Sequence, residues 1–165
     1  MTDSLERFYE DVDAAVRKLV ASGAWRLHCT VGCFGCCVDG LTVFDVEADN
    51  IQNHYAELLS SGAPHPAGGC AFLDEEGACR IYEHRPYVCR TQGLPLRWIE
   101  EDPEGEWVEM RDICPENEAD CDLLALEPED CWLIGPFEER LRSIQMVLYK
   151  GSLERRLLRQ LFLMQ

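Results

Sequence analysis

The chain has 165 residues, 31 acids against 15 bases, and a formal net charge of −16. That length suits one domain, and a hydrophobic content of 47% excludes a chain too polar to fold. The negative field repels phosphate backbones and anionic lipid, so neither nucleic acid nor a membrane surface is expected as a partner.

The opening run MTDSLERFYEDVDAAVRKLV has no basic start leading into an apolar stretch, so it does not read as a signal peptide. No segment is apolar for long enough to span a bilayer. The expected location is the cytoplasm, where thiols stay reduced. Ten cysteines in that setting point to metal rather than disulfides.

In chain order, Leu5, Phe8, Val12, Ala15, Val16 and Leu19 recur at three- and four-residue steps. This predicts an amphipathic helix, capped by Asp3 or Ser4 and ended by Gly23. Residues 28–37, HCTVGCFGCC, set glycines between cysteines and favour tight turns. LTVF is a short extended piece. Asp45 is expected to cap a helix carrying Val46, Ile51, Tyr55, Leu58 and Leu59. After the loop SSGAPHPAGG, CAFL and CRIY read as two short strands joined by the turn DEEG. A helical turn follows from Glu83, with Pro86 tolerated only in its first turn.

LPLRWIE and EWVEMRDI flank EDPEG and predict a hairpin. Pro136 starts a helix bearing Phe137, Leu141, Ile144 and Leu148, which Gly151 breaks. Ser152 is expected to cap a last helix with Leu153, Leu157, Leu161 and Phe162. Its Arg155, Arg156 and Arg159 read as a solvated face beside the acidic body. The fold class is α+β. One domain is expected over residues 1–165, with a Cys-rich metal-binding centre at about 28–116 and a helical segment at about 117–165.

Cysteine spacing carries the chemistry. Cys29, Cys33, Cys36 and Cys37 form CxxxCxxCC, and Cys70, Cys79, Cys89 and Cys114 follow. Thiolate sulfur suits Zn²⁺, iron and iron–sulfur clusters. Cys33-Phe34-Gly35-Cys36 is a CxxC pair whose turn can aim both sulfurs at one ion. Eight cysteines can fill two four-thiolate sites or one polynuclear site. Cys36 and Cys37 are adjacent, so they serve different ions, or only one is a ligand. Cys121 and Cys131 lie outside the dense motifs and read as free thiols. His28, His54, His65 and His84 read as surface or packing residues, with His28 the closest to a ligand role.

The run CxxxCxxCC, then CAFL, then CRIYEHRPYVCR, then Cys114-Pro115, resembles the YkgJ-type cysteine-cluster family, described as chelating zinc or iron. The likeness spans about residues 29–115 and is most specific from Cys79 through Arg85-Pro86 to Cys89-Arg90. One gap departs from the pattern: three residues separate Cys29 from Cys33, where two are usual. The resemblance implies a metal-chelating fold with those eight cysteines as ligands. Similar cysteine patterns accompany a flagellin lysine methylase, an analogy only. Around such a site, Arg85 and Arg90 can donate to thiolates or carbonyls, and Tyr82 can pack over it.

CxxxCxxC is also a radical SAM spacing. Gly35 stands where those enzymes place an aromatic, however, and no run of alternating strands and helices is visible. A thiol–disulfide oxidoreductase at Cys33 and Cys36 would need a βαβ context that is likewise missing. Two classes stay open. One is a structural-metal module working through a protein partner or metal handling. The other is an iron–sulfur centre in redox or methylation-associated catalysis.

Overall fold

The computed structural model describes residues 2–22, 25–30, 32–118 and 122–163. Gly23, expected to end the first helix, and Cys121, expected to be a free thiol, lie outside the described residues. The architecture is α+β, with helices beside one two-stranded and one three-stranded sheet.

Helix α1 (Thr2–Ala21) buries Leu5, Phe8, Val12 and Leu19, the stripe its periodicity predicts, together with Tyr9. It starts at Thr2, so Asp3 sits inside the first turn rather than capping it. Strand β1 (Thr42–Phe44) runs into α2 (Asp45–His54). Phe44 is the N-cap, and Asp45 is the first helical residue. Its carboxylate pairs with Arg156 instead of capping. The expected single helix breaks at Tyr55, and α3 (Ala56–Ser61) carries Leu58 and Leu59.

CAFL and CRIY meet through one β-bridge, Leu73–Cys79, rather than as two full strands. Asp74 explains the tightness: its carboxylate accepts the N–H groups of Glu76 (3.1 Å) and Ala78 (2.7 Å). A 3-10 turn covers Tyr82–His84, and α4 (Tyr87–Arg90) starts directly after Pro86. Strands β2 (Leu96–Glu101) and β3 (Trp107–Asp112) form the predicted hairpin, with Leu96 opposite Asp112 and Glu101 opposite Trp107. Helix α5 (Pro115–Glu118) follows Cys114, and β4 (Trp132–Leu133) lies parallel to β2.

Helix α6 (Pro136–Leu148) begins at its proline as expected. The segment after it departs from expectation. Lys150 (φ 52°) and Gly151 (φ 88°) turn the chain back in left-handed conformations. Residues Arg155–Leu157 then form β5, antiparallel to β1, followed by a 3-10 turn over Leu158–Phe162. The final helix is replaced because β1 offers a strand edge, and Val43 pairs with Arg156 there. Among the described residues 122–163, helix, turn and strand alternate.

Two apolar clusters hold the elements together. One joins Val43, Ile51, Phe72, Ile81, Leu161 and Phe162. The other joins Phe8, Val12, Val46, Tyr87, Trp132 and Leu141. Helix α2 serves both, and Glu47 lies on it between Val46 and Ala48 with 2% of its surface exposed. Its carboxylate accepts the Tyr9 hydroxyl (3.1 Å) and the Tyr87 N–H (2.8 Å). Burial raises its pKa, and the donors from Tyr87, Tyr9 and the Phe44 backbone counteract that rise.

Replacing Glu47 with alanine strands those donors inside the protein. Glu47→Ala should lose roughly 3 kcal/mol of stability, read as a lower urea midpoint at an unchanged slope.

Candidate metal centre

The eight motif cysteines lie in two groups joined at Cys36-Cys37. The first group sits against an apolar cluster: Cys70 is buried in it, and Cys37 and Cys79 pack on its side. Backbone bonds set their spacing. The Cys70 N–H donates to the Cys37 carbonyl at 2.8 Å, and Cys79 bridges Leu73. Cys89 joins from α4, whose first turn places its N–H on the Pro86 carbonyl at 2.9 Å.

Their electrostatics agree with this grouping. Burial pushes the Cys89 thiol up, and the negative charges of Cys70, Cys79, Glu47 and Cys36 push it the same way. Burial also raises Cys70 and Cys79. Backbone N–H groups of Phe72 and Ile81 donate to these two sulfurs and offset part of the rise. Such N–H···S bonds are the usual support of a thiolate ligand.

The second group is nearer the surface. Cys29 is exposed, and Cys33, Cys36 and Cys114 are half-buried. Burial raises the Cys29 thiol, the Asn117 amide lowers it, and Cys33, Cys114 and Cys36 add charge that raises it. Cys33 is turned by its N–H to the Thr30 carbonyl (2.9 Å), and Cys37 by its N–H to the Phe34 carbonyl (2.9 Å). Between the groups, the Cys37 thiol donates to the Cys36 sulfur. That bond lowers Cys36 to about 6 and raises Cys37. Among the described residues, no three Cys, His, Asp or Glu side chains already converge as they would around a bound ion. None of the nine described cysteines is joined in a disulfide.

The arginines of the motif act on carbonyls. Arg90, buried, donates to the Arg85 (2.9 Å) and Glu83 (3.2 Å) carbonyls and to Asp13 (2.7 Å), with its guanidinium 4.0 Å over the Tyr9 ring. Arg85 donates to the Tyr82 carbonyl (3.0 Å) and stacks on the Tyr82 ring, leaving Tyr82 exposed. His54 and His84 stack at 3.7 Å, and His84 Nδ1 meets the Tyr55 hydroxyl at 3.0 Å. Cys131 is buried at the entry to β4.

Three supports were not visible in the spacing. Arg159 pairs with Asp39 and donates to the His65 (2.7 Å) and Gly69 (2.9 Å) carbonyls, fixing the loop before Cys70. Arg80 donates to the Ala63 (2.9 Å) and Ala71 (2.7 Å) carbonyls of the same stretch. Asn117, 0% exposed, accepts the His28 N–H at 2.8 Å and donates to the Gly93 carbonyl at 2.7 Å. Only for Arg80, inside the motif, did the sequence offer a signal.

The CxxCxxCC family model, described as "Putative zinc- or iron-chelating domain", matches residues 28–115, more than half of the chain. The chain belongs to this family of cysteine-cluster metal-binding proteins, whose description names zinc or iron. Comparison with curated proteins and with solved structures returned no match.

The uneven thiols make a reactivity order testable. In chelator-treated protein at neutral pH, iodoacetamide should modify Cys36 ahead of Cys37, Cys70, Cys79 and Cys89. The Cys36 rate should level off once pH passes its low pKa of about 6, while the others keep rising into alkaline pH. Peptide mass spectrometry over a pH series reads this, and Cys37→Ala should move the Cys36 profile back up.

Proposed function

We propose that the eight cysteines hold metal in two four-thiolate sites. Cys37, Cys70, Cys79 and Cys89 form an inner site. Cys29, Cys33, Cys36 and Cys114 form an outer one. The observation that carries this is the division of the thiols. Cys89 feels Cys70 and Cys79 ahead of Cys36, Cys37 feels Cys70 and Cys89 besides its neighbour Cys36, and Cys29 feels Cys33, Cys114 and Cys36, so Cys36 stands at the junction of the two groups. Adjacent Cys36 and Cys37 then serve different ions, one in each site.

Soft sulfur donors, two of them braced by backbone N–H groups, fit zinc or iron. A four-thiolate shell leaves no open position for a substrate, which favours structural and metal-handling roles over hydrolysis. The inner site, set against the core, staples the fold, because metal binding there is part of the folding energy. The outer site, with Cys29 exposed, is the one open to exchange with a chelator or a protein partner. Free thiols suit the reducing cytoplasm. No helix among the described residues is long and apolar enough to cross a membrane.

Metal analysis of anaerobically purified protein should find two equivalents of zinc or iron. Cys33→Ser or Cys114→Ser should lose one equivalent and keep the fold. Cys70→Ser or Cys79→Ser should lose the other and unfold the centre, and Cys131→Ser should keep both. Loss of both equivalents in each of the four ligand variants would replace two sites with one polynuclear site. Brown protein with broad visible absorption and acid-labile sulfide would replace single ions with an iron–sulfur centre.

A further inference from the structure

Cys29 is the irregular member of the motif, separated from Cys33 by three residues. The added residue lengthens the loop, so something else must fix where the Cys29 sulfur points. Asn117 is placed to do so. It lies beyond the family match, which ends at residue 115, and it is polar yet fully buried.

Each atom of its amide is used. Oδ1 accepts the His28 N–H at 2.8 Å, next to Cys29. Nδ2 donates to the Gly93 carbonyl at 2.7 Å and reaches the Cys29 sulfur at 3.9 Å. The Asn117 backbone N–H donates to the Cys114 carbonyl at 2.8 Å. One residue therefore ties the Cys29 segment, the Gly93 turn and the Cys114 turn together. Gly93 is shaped for this contact. Its φ is +88°, and a Cβ there would lie 2.8 Å from the Cys29 sulfur and 3.2 Å from Asn117 Nδ2.

We infer that Asn117 is a positioning residue of the outer metal site, holding Cys29 beside Cys114 and donating an N–H to its sulfur. The inference rests on the two-site reading above. A neutral amide donor steadies a thiolate without competing for the metal, and removing such outer partners commonly weakens binding about 10- to 100-fold.

Cobalt substitution tests it, because sulfur-to-cobalt charge-transfer absorption reports thiolate ligation site by site. Asn117→Asp keeps an acceptor for His28 but loses the donor to Cys29. The variant should bind outer-site Co²⁺ about 10- to 100-fold more weakly, with reduced charge-transfer intensity and an unaltered inner site. Cys29→Ser should show the same defect, and the double variant should be no worse than Cys29→Ser alone. Wild-type affinity and intensity in Asn117→Asp would overturn the inference. Additive losses in the double variant would overturn it too, as would an Asn117→Asp chain that unfolds where Cys29→Ser stays folded. Wild-type protein that takes up only one cobalt ion would instead defeat the two-site reading beneath it.

Discussion

A single buried carboxylate organises the side of the fold that carries Cys89. Glu47 takes the Tyr9 hydroxyl from α1 and the Tyr87 N–H from α4, and the backbone N–H of Phe44 bears on it from β1. Burying an anion is costly unless its lone pairs are met, so these donors have little freedom to move. The arrangement fixes the first residue of α4, two positions before Cys89. Arg90 completes it by pairing with Asp13 on α1 and gripping the Glu83 and Arg85 carbonyls just ahead of Pro86. The most specific stretch of the cysteine motif is thus bolted to α1 and α2, which contain no cysteine at all.

A second constraint acts from the other side. Arg159 and Arg80 take the carbonyls of residues 63–71, so the loop leading to Cys70 is held by guanidinium groups rather than by regular structure. Exposed ion pairs contribute little by themselves. Here each guanidinium spans two or more carbonyls of one loop, and that forked geometry suits arginine better than lysine. Both arginines come with apolar neighbours: Leu158, Leu161 and Phe162 beside Arg159, and Ile81 beside Arg80, pack into the cluster that also buries Cys70.

The sequence was legible wherever local chemistry decided the outcome. The stripe from Leu5 to Leu19 is buried as its period requires, EDPEG turns the β2–β3 hairpin, and Pro136 opens α6. It misled where a distant partner decided. Leu157, Leu161 and Phe162 have helical spacing, but β1, more than a hundred residues earlier, captures Arg155–Leu157 as a strand. Family membership was readable from the cysteines and from CRIYEHRPYVCR, because ligand spacing is local. Asn117 and Glu47 were not readable. Their bonds join residues 89 and 40 positions apart, and neither residue type stands out in its own neighbourhood.

The clamp on the Cys70 loop also bears on how the protein is made. Cys37, Cys70, Cys79 and Cys89 all leave the ribosome well before Arg159, the residue that fastens the loop ahead of Cys70. A nascent chain therefore presents the Cys70 loop held by Arg80 but not yet by Arg159 until the stretch from Arg155 to Phe162 has been synthesised and docked. During that interval the thiols are open to the wrong metal or to oxidation. Fidelity of metal loading becomes a matter of timing during translation as well as of ligand choice.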